Sequence, residues 1–237
     1  FGRMVDHYFD DELTPEEIDF FEFEGIRYYS NVMTTFTPSL RKAIEKAREL
    51  EINIVAPGHG PVYRKNPQKI MDDYYRFSLY AEGAGKNEVT ILWGSMYGMT
   101  AKAVDFVESI LQREGVKYNK LEMPQESESE MIATVFKSAG VIIAAPTYEY
   151  KLFPPVAAAL NELGRKKVSG KTAFRFGSYG WSGGAERELA EIMERNRMNW
   201  DFLESVEFEG APKEEDLRKI EAGVLELIEK MKEKVAD

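Results

Sequence analysis

Val89-Thr90-Ile91-Leu92-Trp93-Gly94-Ser95-Met96-Tyr97-Gly98-Met99-Thr100 runs from an apolar, β-branched stretch straight into a turn of glycines and hydroxyls. The first five residues read as a buried strand. The residues after the turn, 101–113, read as a helix with Val104, Val107, Ile110 and Leu111 on one face. The same alternation continues downstream. Strands are predicted over 118–121, 141–145, 172–177 and 206–208, and helices over 128–137, 155–163, 185–195 and 214–234. Strand and helix alternating five times predict an α/β fold: a five-stranded parallel sheet with helices on both faces.

In such a sheet ligands bind at the carboxyl ends of the strands, near the point where the strand order reverses. Three unusual loops are predicted to fall there. In the first, Ser95 and Thr100 offer hydroxyls and Gly98 allows close backbone approach at a helix N-terminus, which suits a phosphate. With no Gly-Lys-Ser/Thr it is not a P-loop, and it lacks the three spaced glycines of a dinucleotide fingerprint. Taken alone, it is equally a hydroxyl-rich turn that caps a helix. The second loop is Ala145-Pro146-Thr147-Tyr148-Glu149-Tyr150. The third is Gly177-Ser178-Tyr179-Gly180-Trp181-Ser182-Gly183-Gly184. A flat ring such as a flavin needs apolar walls, which Tyr148, Tyr179 and Trp181 can supply, and main-chain N–H groups for its polar edge.

Upstream the texture differs. Thr14-Pro15-Glu16-Glu17 is a helix start, with a hydroxyl cap, proline at the first helical position and acids at the positive end of the dipole. Thr37-Pro38 and Asn66-Pro67 open two further helices. Residues 52–56 read as a short strand, followed by the tight loop Pro57-Gly58-His59-Gly60-Pro61. The small, polar run 82–87 is the expected domain boundary, which divides the chain into 1–85 and 86–237.

The 237 residues carry a net charge of −10, which argues against sequence-independent nucleic-acid binding and against an anionic membrane surface. No apolar run approaches the roughly 18 residues of a membrane span. With no cysteine, the chain has no disulfide, iron–sulfur cluster or thiol nucleophile of its own. Its two histidines, His7 and His59, cannot by themselves build a His-rich metal site. His7 stands beside Asp6, Asp10, Asp11 and Glu12 and reads as part of a solvated acidic turn. The expected location is cytoplasmic, and the lack of an initiator Met suggests a trimmed or partial chain.

Residues 87–237 resemble the short-chain flavodoxins, through Ser95-Met96-Tyr97-Gly98-Met99-Thr100. More narrowly, Gly177–Ala185 resembles the third loop of the flavodiiron proteins, which join a metallo-β-lactamase-like diiron domain to a flavodoxin-like domain. The second loop departs from the family, with Tyr148-Glu149-Tyr150 where many members have an Asn-rich stretch after Pro-Thr. The resemblance implies FMN held by Ser95–Thr100, by Pro146, Thr147, Tyr148 and Glu149, and by Ser178, Tyr179, Gly180, Trp181, Ser182, Gly183 and Gly184. It implies that Ala56–Pro61 is the end of a metallo-β-lactamase-like αββα domain, with His59 as an iron ligand. Phe1-Gly2 resembles the Phe-Gly that follows a bridging aspartate in that family.

The other diiron ligands are not in this sequence, so the chain is expected to be a C-terminal portion, with a diiron centre only if those ligands are supplied from elsewhere. The family's activities are reduction of dioxygen to water and of nitric oxide to nitrous oxide. Its electron donors are rubredoxin or a reduced deazaflavin, and its assembly is a head-to-tail homodimer or a tetramer. Two alternatives stay open from the residues: a flavodoxin-like carrier with no metal site, and an FMN-dependent quinone or azo reductase.

Overall fold

The computed structural model describes residues 7–236; Phe1-Gly2 and Asp6 lie outside them. Three helices come first, α1 (Pro15–Tyr28), α2 (Thr37–Arg48) and α3 (Gln68–Tyr80). Thr14 caps α1 as expected: its Oγ1 accepts from the Glu17 N–H, and the Glu17 carboxylate accepts in return from the Thr14 N–H. The α/β part then runs β1 (Lys86–Trp93), α4 (Met99–Arg113), β2 (Lys117–Glu122), α5 (Glu128–Lys137), β3 (Ser138–Ala144), β4 (Thr147–Tyr148) and β5 (Lys151–Leu152). It continues with α6 (Pro154–Arg165), β6 (Thr172–Tyr179), α7 (Ala185–Asn196), β7 (Asp201–Phe202), β8 (Val206–Glu209) and α8 (Glu214–Met231).

The main sheet is parallel, in the order β2-β1-β3-β6. Its fifth position is filled by two pieces. β7 pairs with the start of β6 at Thr172 and Ala173, and β8 pairs with its end, from Phe176 to Tyr179. The expected five-stranded sheet is therefore present with its last strand interrupted. All of β3 is buried, which fits a central parallel strand covered on both faces. One face packs under α4 and α8 through Val104, Val107, Ile220, Val224 and Leu227. The other packs under α5, α6 and α7 through Met131, Val135, Leu160 and Ile192.

The N-terminal helices extend this second core. Tyr29 stacks on Phe136 of α5 at 5.8 Å between ring centres, and Tyr80 meets the same ring edge-on at 6.0 Å. Residues 82–87 are held rather than loose. The Gly85 N–H donates to Lys234 O, the Ala236 N–H donates to Gly85 O, and Gly83 (φ +105°) lies flat against the backbone of Gly170. These tethers carry β1 back to Lys86, three residues before its expected start.

The strand expected over 52–56 does not form. Val55 alone bridges Tyr63, in an antiparallel contact, and Ile54 is exposed. A strand needs a ladder of partners, and among the described residues this segment has that single bridge.

Candidate functional site

The strand order reverses between β1 and β3, so the chain must cross in opposite directions on either side of that point, and a crevice opens at the strands' carboxyl ends. The three loops leave the sheet there, after Trp93, Ala144 and Tyr179. They enclose a cleft of about 470 Å³, within the size range of small-molecule sites. Met96, Tyr97 and Met99 line it from the first loop, Pro146 to Tyr150 from the second, and Ser178 to Ser182 from the third. Several of the lining aromatics stand out into solvent: Trp181 is 99% exposed, Tyr97 84% and Tyr150 63%. Large aromatic surface gathered around a concavity and left in water marks a binding site.

Other expected residues serve as the frame. Ser95 Oγ accepts from the Gly98 N–H at 3.1 Å, closing the first turn, and Gly98 (φ +77°) occupies the left-handed region at the start of α4. Thr100 is fully buried; its hydroxyl shares a 3.0 Å hydrogen bond with the Ser178 hydroxyl, tying the first loop to the third. The third-loop glycines divide by role. Gly177, still on β6, presses on the Ala145 carbonyl and Gly184 (φ +139°) on the Tyr150 backbone, each at a distance that leaves no room for a Cβ, while Gly183 meets the Glu207 carboxylate, the movable end of a side chain. Gly180 alone in this loop faces open space. Gly177 and Gly184 therefore serve the packing of the third loop on the second.

The second loop folds as a hairpin, with β4 antiparallel to β5. Its two turn residues, Glu149 (φ +47°) and Tyr150 (φ +64°), both lie in the left-handed region, the signature of a type I′ turn. Asn and Gly are the favoured residues there; Glu and Tyr carry a cost of about 1–3 kcal/mol each. The turn places Tyr148 and Tyr150 at the cleft. Beside them Thr147 Oγ1 is buried with no hydrogen-bond partner. An orphaned hydroxyl in the wall of an aromatic cleft is what a polar ligand edge would satisfy.

Gly210, after β8, also lines the cleft, and its N–H donates to Tyr179 O. Its positive φ, +65°, is a turn property that the Glu-Gly-Ala-Pro run of the sequence could have signalled. His59 is elsewhere, on an exposed loop with its ring 6.3 Å from that of Tyr28. Among the described residues no group of three or more His, Cys, Asp or Glu side chains is placed to hold a metal ion.

A doubly covered parallel sheet in this order, with its cleft at the switch point, defines the chain as a flavodoxin-like α/β protein. Its relatives are more specific. It is 30% identical over 185 residues to the anaerobic nitric oxide reductase flavorubredoxin of Vibrio vulnificus, covering 76% of this chain and 37% of the relative. It is 26% identical over 216 residues to the nitric oxide reductase of Moorella thermoacetica, covering 90% of this chain and 52% of the relative. The crystal structure of the flavodiiron protein from Giardia intestinalis superposes with a TM-score of 0.80 at 25% identity, over 97% of this chain and 56% of that one. The chain is a relative of the flavodiiron proteins and corresponds to their C-terminal portion. It spans about half the length of the relatives it matches, or less. No family model matches the sequence.

Proposed function

We propose that the cleft binds FMN and that the chain is the electron-carrying portion of a flavodiiron oxidoreductase that reduces dioxygen to water, nitric oxide to nitrous oxide, or both. The observation that carries this reading is the convergence of three loops on one aromatic cleft at the switch point, with Thr147 Oγ1 left unpaired in its wall. Bound flavin would supply the redox chemistry, and the protein supplies position and electrostatics. Tyr148 and Trp181 are the ring's walls. The turn from Ser95 to Thr100, at the N-terminus of α4, is the phosphate end, where backbone N–H groups and the helix dipole favour an anion. Main-chain N–H groups of Gly180–Ser182, past the end of β6, serve the ring's polar edge.

Residues 1–85 are, on this reading, the end of a metallo-β-lactamase-like domain, and 86–237 the flavin domain. His59 is an iron ligand where the other ligands of a diiron centre are supplied to it. The donor is a rubredoxin or a reduced deazaflavin, and the working unit is a head-to-tail homodimer or a tetramer.

Trp181→Ala tests the cleft directly. Trp181 is 99% exposed, so its removal is expected to leave thermal stability unchanged and to weaken FMN binding at least tenfold, as read by fluorescence titration. Equal affinity in the variant would remove Trp181 from the site. Rapid reduction of the bound flavin by NAD(P)H alone would favour a quinone or azo reductase instead.

A further inference from the structure

Arg175 is the largest fully buried side chain among the described residues. It stands on β6, where its neighbours Ala173, Phe174 and Phe176 are apolar and equally buried. Its Nη1 donates to Glu207 Oε1 of β8 at 2.7 Å, while Nε and Nη2 have no partner. Burying a guanidinium costs several kcal/mol unless its donors are satisfied, and an apolar residue in such a position is often neutral or better for stability. Packing alone therefore does not account for a charge here.

Its place in the fold does. Nη2 lies 3.4 Å from where a Cβ of Gly177 would stand, beneath the point where the second and third loops leave the sheet. Ser178, the next residue, lines the cleft. Glu207, the partner, is 24% exposed and touches Gly183 of the third loop with its other oxygen. The positive end of the pair is thus deep under the cleft floor, and the negative end is toward solvent.

We infer that Arg175 is a positioning residue for the redox cofactor: with Glu207 it braces the third loop from below and holds a buried positive charge under the bound ring. This rests on the flavin reading of the cleft. Reduction adds negative charge to the ring, and a fixed cation under a low-dielectric floor favours that form. Removing the cation shifts the reduction equilibrium toward oxidised flavin, and removing the carboxylate shifts it the other way.

The test is dye-equilibrated redox titration at pH 7 of the 237-residue chain loaded with FMN, for the wild type, Arg175→Met, Arg175→Lys and Glu207→Gln. Arg175→Met is expected to disfavour reduction at least tenfold, about 30 mV lower for a two-electron couple. Arg175→Lys is expected to retain most of the wild-type value, and Glu207→Gln to move it upward. Should Arg175→Met fail to fold, the upward shift in Glu207→Gln decides the matter. Changes under twofold in both Arg175→Met and Glu207→Gln, or shifts of the same sign in those two with FMN still bound, would overturn the inference and leave the flavin site standing. A wild-type chain that takes up no FMN would overturn both.

Discussion

Gly177→Ala is expected to lower the melting temperature by about 6–12 °C, whereas Gly180→Ala, three residues on and just past the end of β6, leaves it within about 2 °C. A Cβ at Gly177 would fall inside the carbonyl oxygen of Ala145, which is backbone and has no rotamer to yield. That carbonyl belongs to the residue whose N–H donates to Phe176 O, where β3 and β6 part company. Relief therefore means separating two central strands. Overpacking of ordinary side chains costs about 1–3 kcal/mol, and this contact belongs at or above the upper end. For a chain of this size each kcal/mol corresponds to about 2–4 °C. Gly180 has open space around it and no positive φ, so alanine there is worth under about 0.5 kcal/mol. Thermal melts followed by circular dichroism compare the two. Equal melting temperatures would refute the close approach of the second and third loops on which the cleft depends.

The second large effect is on pH. Lys171 is fully buried at the start of β6, with Nζ donating to Ala84 O at 2.7 Å and Phe136 O at 2.6 Å. It thereby joins residues 82–87 to the last turn of α5. Burial, and then the nearby Lys234, push its pKa from 10.5 down to about 7, against the pull of Glu88. Between pH 7 and 10.5 the unfolded chain therefore holds a proton that the folded chain has released. Stability must rise with pH through that window, by up to about 1.4 kcal/mol per pH unit.

Above pH 10 the sign reverses. Burial raises the phenol of Tyr63 to about 12 and that of Tyr74 higher still, so there the folded state keeps protons that the unfolded state loses. Urea unfolding at pH 7, 8.5 and 10 should show the wild type gaining stability. Lys171→Met should be flat over the same range, and at pH 10 less stable by about 1–3 kcal/mol for its two unpartnered carbonyls. Parallel curves for the two proteins would contradict the assignment.

Neither buried charge was legible in the sequence. Lys171 stands just before an apolar strand and Arg175 within it, and charge gives no local sign of what will pack above it. The readable features were those set by local chemistry. Apolar runs alternating with helical stripes gave the parallel sheet, and Thr14 and Pro15 gave the start of α1. The three loops stood out because glycines, hydroxyls and aromatics are gathered where a core turn would have no use for them.

What depended on tertiary partners was not readable. β1 begins early because Gly85 is tied to the C-terminus, and the fifth strand is broken because β7 and β8 pair with opposite ends of β6. The β4–β5 hairpin was missed because Glu149 and Tyr150 are not residues that announce a left-handed turn. The strand read over 52–56 has the right residues and no ladder to join. Within the site, the residue types were legible and their division of labour was not. Thr100 and Gly183 brace the loops, while Thr147 and Trp181 face the cleft.

The central claim is that the cleft at the switch point is an FMN site, and equilibrium dialysis of the 237-residue chain against FMN and against riboflavin tests it most directly. The expected result is saturable binding of one FMN per chain, with riboflavin at least tenfold weaker because it lacks the phosphate that the Ser95–Thr100 turn would hold. Absence of saturable FMN binding would contradict the account.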